Sequence, residues 1–145
     1  QLNGKSTDAL HVIARAAVAL EKDKEAEEAF GQALKLDPKS PAVRNDLAFF
    51  FLKRRRFEEA RVLLESLIQD DPERTEYRLN LITALTHLDK TETARNYLSD
   101  LLTNHRTQIT QGPLKGIANK IIHDLAEKMG TTAEALIDAL EKASR

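Results

Sequence analysis

Residues 38–72 read PKSPAVRNDLAFFFLKRRRFEEARVLLESLIQDDP, and they hold two apolar stripes on either side of a basic turn. Apolar residues that recur three and four positions apart fall on one face of an α-helix. Ser40 and Pro41 suit a helix start, since Ser accepts hydrogen bonds from unpaired amides and Pro fits the first helical position. The stretch therefore predicts a helix, a turn and a second helix. The two stripes are Leu47, Ala48, Phe51 and Leu52, and Ala60, Leu63, Leu64, Leu67 and Ile68.

The same pattern recurs on both sides of this stretch at a constant shift of thirty-four positions, the separation of Pro38 and Pro72. These two prolines end the segments LKLDP and IQDDP. Because the positions that coincide keep their apolar or small character without a gap, the chain contains an internal repeat of a two-helix unit. The coinciding triplets include Ile13, Leu47 and Leu81, then Ala14, Ala48 and Ile82, then Ala17, Phe51 and Leu85, then Ala26, Ala60 and Ala94, then Phe30, Leu64 and Leu98.

The period, the small residue that opens each second helix, the large apolar residue four later and the terminal Asp-Pro resemble the tetratricopeptide repeat. The resemblance runs from about Thr7 to Gln108. It implies an all-α fold, a right-handed α-solenoid of three helical hairpins followed by a C-terminal two-helix cap, with about eight helices. The units are 7–40, 41–74 and 75–108 within 1–108, and the capping helices are in 109–145 of the same compact domain.

Three departures from the family pattern are visible. The aromatic residue common early in the first helix is replaced by Leu10, Arg44 or Arg78. The small residue in mid-helix becomes Ile82 in the third copy, and the closing proline becomes Arg106. The third copy is therefore the loosest, as expected where a regular array meets different structure.

The C-terminal segment predicts two more helices. Residues 109–113 read as a loop, and an amphipathic pattern follows from Leu114 up to Gly130, which suits a helix C-terminus. Thr131 and Glu134 have the spacing of a capping box, in which a hydroxyl and a carboxylate satisfy the first amides of a helix. We interpret this pair of helices as a cap on the apolar edge of the array.

Composition excludes several classes of partner. The formal net charge is −1, with 22 basic and 23 acidic residues, so no global field recruits nucleic acid or an anionic membrane. No apolar run of about 18 residues predicts a membrane span, and there is no Cys for disulfides or thiolate chemistry. We expect a soluble segment of a longer or processed protein, because the chain begins at Gln1 without an initiator Met or a signal sequence. The compartment is therefore unknown.

Two motifs suggest nucleic acid and are better explained otherwise. Residues 125–132 resemble the bend of a helix-turn-helix DNA reader, but the following helix carries Glu134, Asp138 and Glu141, which phosphates would repel. The basic turn 53–56 could dock an acidic partner or nucleic acid, or act as a nuclear import signal. Glu58 and Glu59 follow at once, so we favour a solvated turn.

The sequence offers no catalytic site, and we predict that the chain is not an enzyme. His123 and Glu127 are four apart on one predicted helix, yet nothing nearby completes a metal site. No Gly-rich phosphate loop and no nucleophile paired with a base is present. We therefore expect no metal and no cofactor.

The resemblance implies a binding surface, because the first helices of successive repeats line a concave groove in related proteins. Phe49, Phe50 and Phe51 are consecutive, and three consecutive side chains cannot all enter one core stripe. Phe51 takes the core position, so another should face the groove or a neighbouring helix. An exposed aromatic in a concavity is typical of a binding anchor. The predicted groove residues are His11, Arg15, Val18, Asn45, Phe49, Leu52, Lys53, Leu79, Thr83, Thr86 and His87.

We therefore predict a protein-interaction scaffold that binds a peptide or helix of a partner protein in this groove. The paired Lys/Asn and Lys/Arg clamp with which family members grip acidic C-terminal tails is absent, which favours an amphipathic or extended peptide. Arg15 and Lys53 would contact its acidic groups. The alternative is a self-associating module, such as a homodimer, or a module that docks within a larger multidomain protein.

Overall fold

The computed structural model describes residues 6–145, and within them every regular element is an α-helix. Three hairpins are followed by three further helices, so the chain is an all-α solenoid. The bounds are α1 Thr7–Ala19, α2 Asp23–Leu36, α3 Pro41–Lys53, α4 Phe57–Asp70, α5 Thr75–His87, α6 Thr91–Asn104, α7 Arg106–Thr110, α8 Lys115–Lys128 and α9 Ala133–Ala143.

The helices repeat with the period read from the sequence. The first helices of the hairpins start at Thr7, Pro41 and Thr75, and the second helices start at Asp23, Phe57 and Thr91. Both sets of starts therefore recur at the repeat period, the separation of Pro38 and Pro72. Within each hairpin the two helices pack together, and each second helix packs on the first helix of the next hairpin. At the close approaches the repeat places small residues, which are fully buried: Ala26, Ala60 and Ala94.

The turn inside each hairpin has the same left-handed residue. Glu21, Arg55 and Asp89 have φ of 56°, 60° and 59°, and they occupy equivalent positions of the three repeats. The amide that follows each of them donates a hydrogen bond of 2.9 Å to a carbonyl in the preceding helix, that of Ala17, Phe51 or Leu85. This is the Schellman closure of a helix C-terminus, which usually takes Gly at the left-handed position.

The replaced aromatic position holds an ion pair in the second and third hairpins. Arg44 is buried, and its guanidinium donates to Asp70 at 2.7 Å, to the Lys39 carbonyl at 2.8 Å and to Ser66 at 3.1 Å. Its equivalent Arg78 pairs with Asp100 at 3.0 Å. Each pair joins the first helix of a hairpin to the second helix, which explains how a charged residue is accepted there.

The C-terminal helices differ in two details from the sequence prediction. The predicted loop 109–113 begins as the last turn of α7, which brings the number of helices in residues 6–145 to nine. The last helix is capped by Thr132, whose hydroxyl accepts from the Ala135 amide at 3.1 Å, so the capping box predicted at Thr131 is wrong by one position. Helix α8 packs on α5, α6 and α7, and α9 packs on α8 and α6.

Candidate functional site

A pocket of about 320 Å³ lies between α1, α2 and α3. The first helices of the first two hairpins form its sides, and Phe30 of α2 contributes to its lining. The wall is mainly apolar, with one cation and one carboxylate at its rim. The lining residues are Arg15, Val18, Ala19, Phe30, Asp46, Phe49 and Phe50.

The three consecutive phenylalanines divide between core and pocket. Phe50 and Phe51 are buried, whereas Phe49 is 49% exposed. The Phe50 ring lies 6.2 Å from the Phe30 ring, within the range of favourable aromatic pairs. The core therefore fixes the helix that presents Phe49, and Phe49 itself stays accessible.

The charges around the pocket are arranged about Asp46. His11 bonds to its carboxylate at 2.7 Å, and the Arg15 guanidinium lies 3.6 Å away. The Arg15 side chain nevertheless remains 70% exposed. On the other side, the Lys53 ammonium lies 5.3 Å from the centroid of the Phe49 ring. An apolar surface is thus flanked by two exposed cations.

The far end of the predicted groove is a separate, polar pocket of about 620 Å³ between α5 and α8. His87 stacks on Phe57 with ring centroids 4.3 Å apart. Burial lowers the pKa of His87, the Arg55 cation lowers it further, and the Asp124 carboxylate opposes this. The other lining residues are Arg55, Thr86, Lys120, Asp124, Glu127 and Lys128.

Two predicted groove residues are not accessible. Leu79 is 1% exposed, and Thr86 is buried with its hydroxyl donating to the Ile82 carbonyl at 2.7 Å. Helix α8 packs on α5, and the sequence pattern did not reveal this contact. Thr83 is partly buried and donates to the Leu79 carbonyl at 3.3 Å. The third hairpin therefore offers no apolar groove around these residues, and the pocket it shares with α8 is polar.

The predicted residues that the structure brings together are Arg15, Val18 and Phe49. His11 adjoins them through Asp46, and Lys53 adjoins them through the Phe49 ring. Leu52 and Asn45 are partly buried, and the Asn45 Oδ1 atom has no hydrogen-bond partner within residues 6–145.

Sequence reasoning missed Asp46, Ala19, Phe30 and Phe50 as lining residues. Asp46 follows the predicted groove residue Asn45 and is opposite in charge to Arg15, so charge pairing between adjacent repeats could have indicated it. Phe30 and Phe50 gave no such signal, because their apolar character fits the core equally well.

The basic turn, which we predicted to be solvated, is also partly a structural connection. Arg54 donates twice to Asp23 of α2 at 2.6 Å, and this hydrogen bonding lowers the pKa of the Asp23 carboxyl. Arg56 is paired with Glu27 of α2, and with Glu59 at 2.6 Å. The pairs with α2 tie the first hairpin to the second. Lys53 and Arg55 remain exposed.

Among residues 6–145, no helix has the length and apolar character needed to cross a membrane. In the same part of the chain, no three His, Asp or Glu side chains are grouped as they would be to hold a metal ion.

The family profile described as "Tetratricopeptide repeat" matches residues 17–78 and 51–111, in two overlapping segments. The chain belongs to the tetratricopeptide repeat family. No curated protein matches it. Tetratricopeptide repeats generally mediate protein–protein interaction and are non-enzymatic repeat scaffolds.

Proposed function

We propose that this tetratricopeptide repeat protein binds a peptide or helix of a partner protein, and that an apolar side chain of the partner enters the pocket between α1 and α3. The observation that carries the proposal is Phe49, an aromatic side chain left half exposed inside a concave pocket. Aromatic anchors in such pockets supply most of the affinity at many protein interfaces.

The rim charges indicate what surrounds the apolar anchor of the partner. Arg15 and Lys53 are exposed cations on the two sides of the pocket, while the Asp46 carboxylate is already held by His11 and Arg15. We therefore expect acidic groups on the partner next to its apolar side chain, because the cations at the pocket would attract them and its one carboxylate is already paired.

The partner segment that fits is short. Helix α8 packs on α5 and shares a polar pocket with Thr86 and His87, so only the first two hairpins contribute to the apolar pocket. A long peptide running through all three repeats would have to displace α8. The arrangement favours a single helical turn or a few extended residues around one anchor.

The test is a selection of peptides from a random library on the immobilised protein, followed by affinity measurements on the enriched sequences. We expect sequences with one large apolar residue flanked by Asp or Glu. Phe49→Glu should weaken their binding at least tenfold, which corresponds to about 1.4 kcal/mol.

The matched control is Val62→Glu, which places the same charge on an exposed apolar residue of α4, outside the pocket. It should bind the peptides as tightly as the unmodified protein, and circular dichroism should show equal helix content in both variants. Equal affinity of Phe49→Glu and Val62→Glu for every enriched peptide would refute the pocket as the binding site.

A further inference from the structure

The face of α1 that points away from the rest of the array is apolar and exposed. We call Ala9, Ile13 and Ala16 of α1, together with Leu20 directly after it, the outer stripe, since they are spaced three or four apart and continue one face of the helix. Ile13 is 41% exposed, Leu20 is 67% exposed, and Val12 beside them is also exposed. Large apolar side chains grouped on one helix face usually mark an interface.

The equivalent positions of the next two hairpins are already interfaces. They are buried because the second helix of the preceding hairpin packs there, α2 on α3 and α4 on α5. The outer stripe is thus the surface of α1 that corresponds to these covered surfaces of α3 and α5. Among residues 6–145, no second helix of a preceding hairpin covers it. The buried equivalents are Val43, Leu47 and Phe50 in α3, and Tyr77, Leu81 and Ala84 in α5.

We infer that the outer stripe binds one further helical hairpin of the same repeat type, whose second helix lies on α1 as α2 lies on α3. Two internal interfaces of this kind exist in the protein, α2 on α3 and α4 on α5, and the outer stripe continues their register by one repeat. The inference does not depend on the pocket around Phe49, which lies on another face of α1.

The position of Leu20 defines the chemistry of the occupant more closely. Its equivalent in the second hairpin is Arg54, which bonds to Asp23 at the start of α2. The equivalent of Leu20 in the third hairpin is Leu88. The helix that packs on the third hairpin is α4, and it begins with Phe57, whereas α2 begins with Asp23. Leu20 cannot form the ion pair, so the occupant should begin its second helix with an apolar residue, as α4 does.

The test uses the protein's own hairpin as the probe. A copy of residues 41–73 placed directly before Ser6, in place of residues 1–5, keeps the repeat period between the copied α3 and α1. Because stability in repeat arrays rises with each matched interface, we expect Tm to rise by about 5 °C or more. A Gly/Ser segment of equal length before Ser6 is the control and should leave Tm unchanged.

Ile13→Asp shows whether the gain comes from the outer stripe. In the extended protein it should cancel the rise in Tm, because it buries a charge in the new interface. In the unextended protein it should change Tm by less than about 2 °C, since Ile13 is already substantially exposed. A copy of residues 7–39 in the same place should give a smaller rise, because its second helix begins with Asp23 opposite Leu20.

Three results would overturn the inference. One is an unchanged Tm in the protein extended by residues 41–73. Another is a rise in Tm that Ile13→Asp leaves intact. The third is a dimer of the unextended protein, seen by sedimentation at rising concentration and dissociated by Ile13→Asp, which would assign the outer stripe to a second copy of the chain. Peptide binding at Phe49 should persist in every extended protein. A failure of the inference about the outer stripe would therefore not contradict the proposed function.

Discussion

Helices α3 and α5 occupy the same place in successive hairpins, yet α3 lines an apolar pocket and α5 lines a polar pocket that it shares with α8. Both have 13 residues and both carry a paired Arg at the same position, Arg44 and Arg78. On α3, Phe49 is half exposed and lines a pocket. On α5, Thr83 at the position of Phe49 is partly buried, Leu79 and Thr86 are buried, and α8 packs on the helix.

The comparison shows that the repeat pattern determines the core positions, whereas the helices next to a hairpin determine whether its concave side is open to a ligand. Positions facing the partner helix within a hairpin are mostly apolar or small in every copy, since each hairpin must bury them, and at the Arg44 and Arg78 position an ion pair satisfies the buried charge instead. The exposure of positions on the concave side depends on what lies opposite them. Solvent lies opposite Phe49, whereas α8 packs on α5. A binding surface can therefore be lost from one repeat without any change in the repeat pattern itself.

The largest loss of stability is expected when Leu79 of α5 is replaced by the residue at the equivalent position of α3, Asn45. Leu79→Asn gives α5 the residue found in α3, and it replaces a buried Leu by an amide in an apolar site. We expect the free energy of unfolding to fall by about 3–5 kcal/mol, from lost apolar burial and from desolvation of the amide. Urea denaturation followed by circular dichroism measures this loss.

The reverse exchange, Asn45→Leu, is the control. Asn45 is partly buried with an Oδ1 atom that lacks a hydrogen-bond partner within residues 6–145, so an apolar replacement loses little. We expect a change within about 1 kcal/mol. Similar losses for both exchanges would mean that α8 does not make the environment of α5 different from that of α3.

The buried Arg44 pair should make stability depend on pH. Hydrogen bonding from Arg44 lowers the pKa of the Asp70 carboxyl below its ordinary value, so the pair stabilises the fold above about pH 4. As the pH falls from about 4 through the lowered pKa, Asp70 is protonated in the folded state and this stabilisation is lost. Melting temperatures measured from neutral pH into this acid range should fall less in Arg44→Leu than in the unmodified protein.

Leu is a suitable replacement because Leu10 fills the equivalent position in α1 and is buried there. Asp70 is largely solvated, so it should tolerate the loss of its partner at neutral pH. Arg95→Leu, which removes a surface pair with Glu92 at 3.6 Å, is the control and should leave the acid-induced fall in Tm unchanged. An equal fall in Arg44→Leu would show that the Asp70 pair contributes nothing to acid sensitivity.

Much of the fold could be predicted from the sequence because the repeat supplies three copies of each signal. The repeat period predicted every hairpin helix, and the Phe49–Phe51 run predicted that one aromatic would leave the core. These inferences rest on local periodicity, where side-chain spacing along one helix decides which face is apolar.

The parts that could not be predicted depend on contacts between distant segments. Leu79 is buried in a helix on which α8 packs, and α8 begins only at Lys115, so nothing in the pattern of α5 specifies this neighbour. The pairing of Arg54 with Asp23 likewise joins two separate hairpins, whereas the local run KRRR suggested only a solvated charge cluster.

The smallest change in the free energy of unfolding is expected at the residues with positive φ that follow α3 and α5, Arg55 and Asp89. Arg55 has φ of 60°, where a Cβ atom is disfavoured, so Arg55→Gly should relieve strain. The gain is offset by greater freedom of the unfolded chain and by loss of the contact with the Phe57 ring at 5.6 Å. We expect a net rise of about 0.5 kcal/mol in the free energy of unfolding, measured by urea denaturation.

Asp89→Gly should give no such gain, although its φ is nearly the same. Asp tolerates the left-handed region better than Arg, because its short side chain can bond to the nearby backbone. Its carboxylate also pairs with Lys128 of α8 at 2.6 Å, so Gly would remove a contact that holds the covering helix over α5. If Asp89→Gly stabilised the protein as much as Arg55→Gly, that ion pair would have no part in keeping the side of α5 closed.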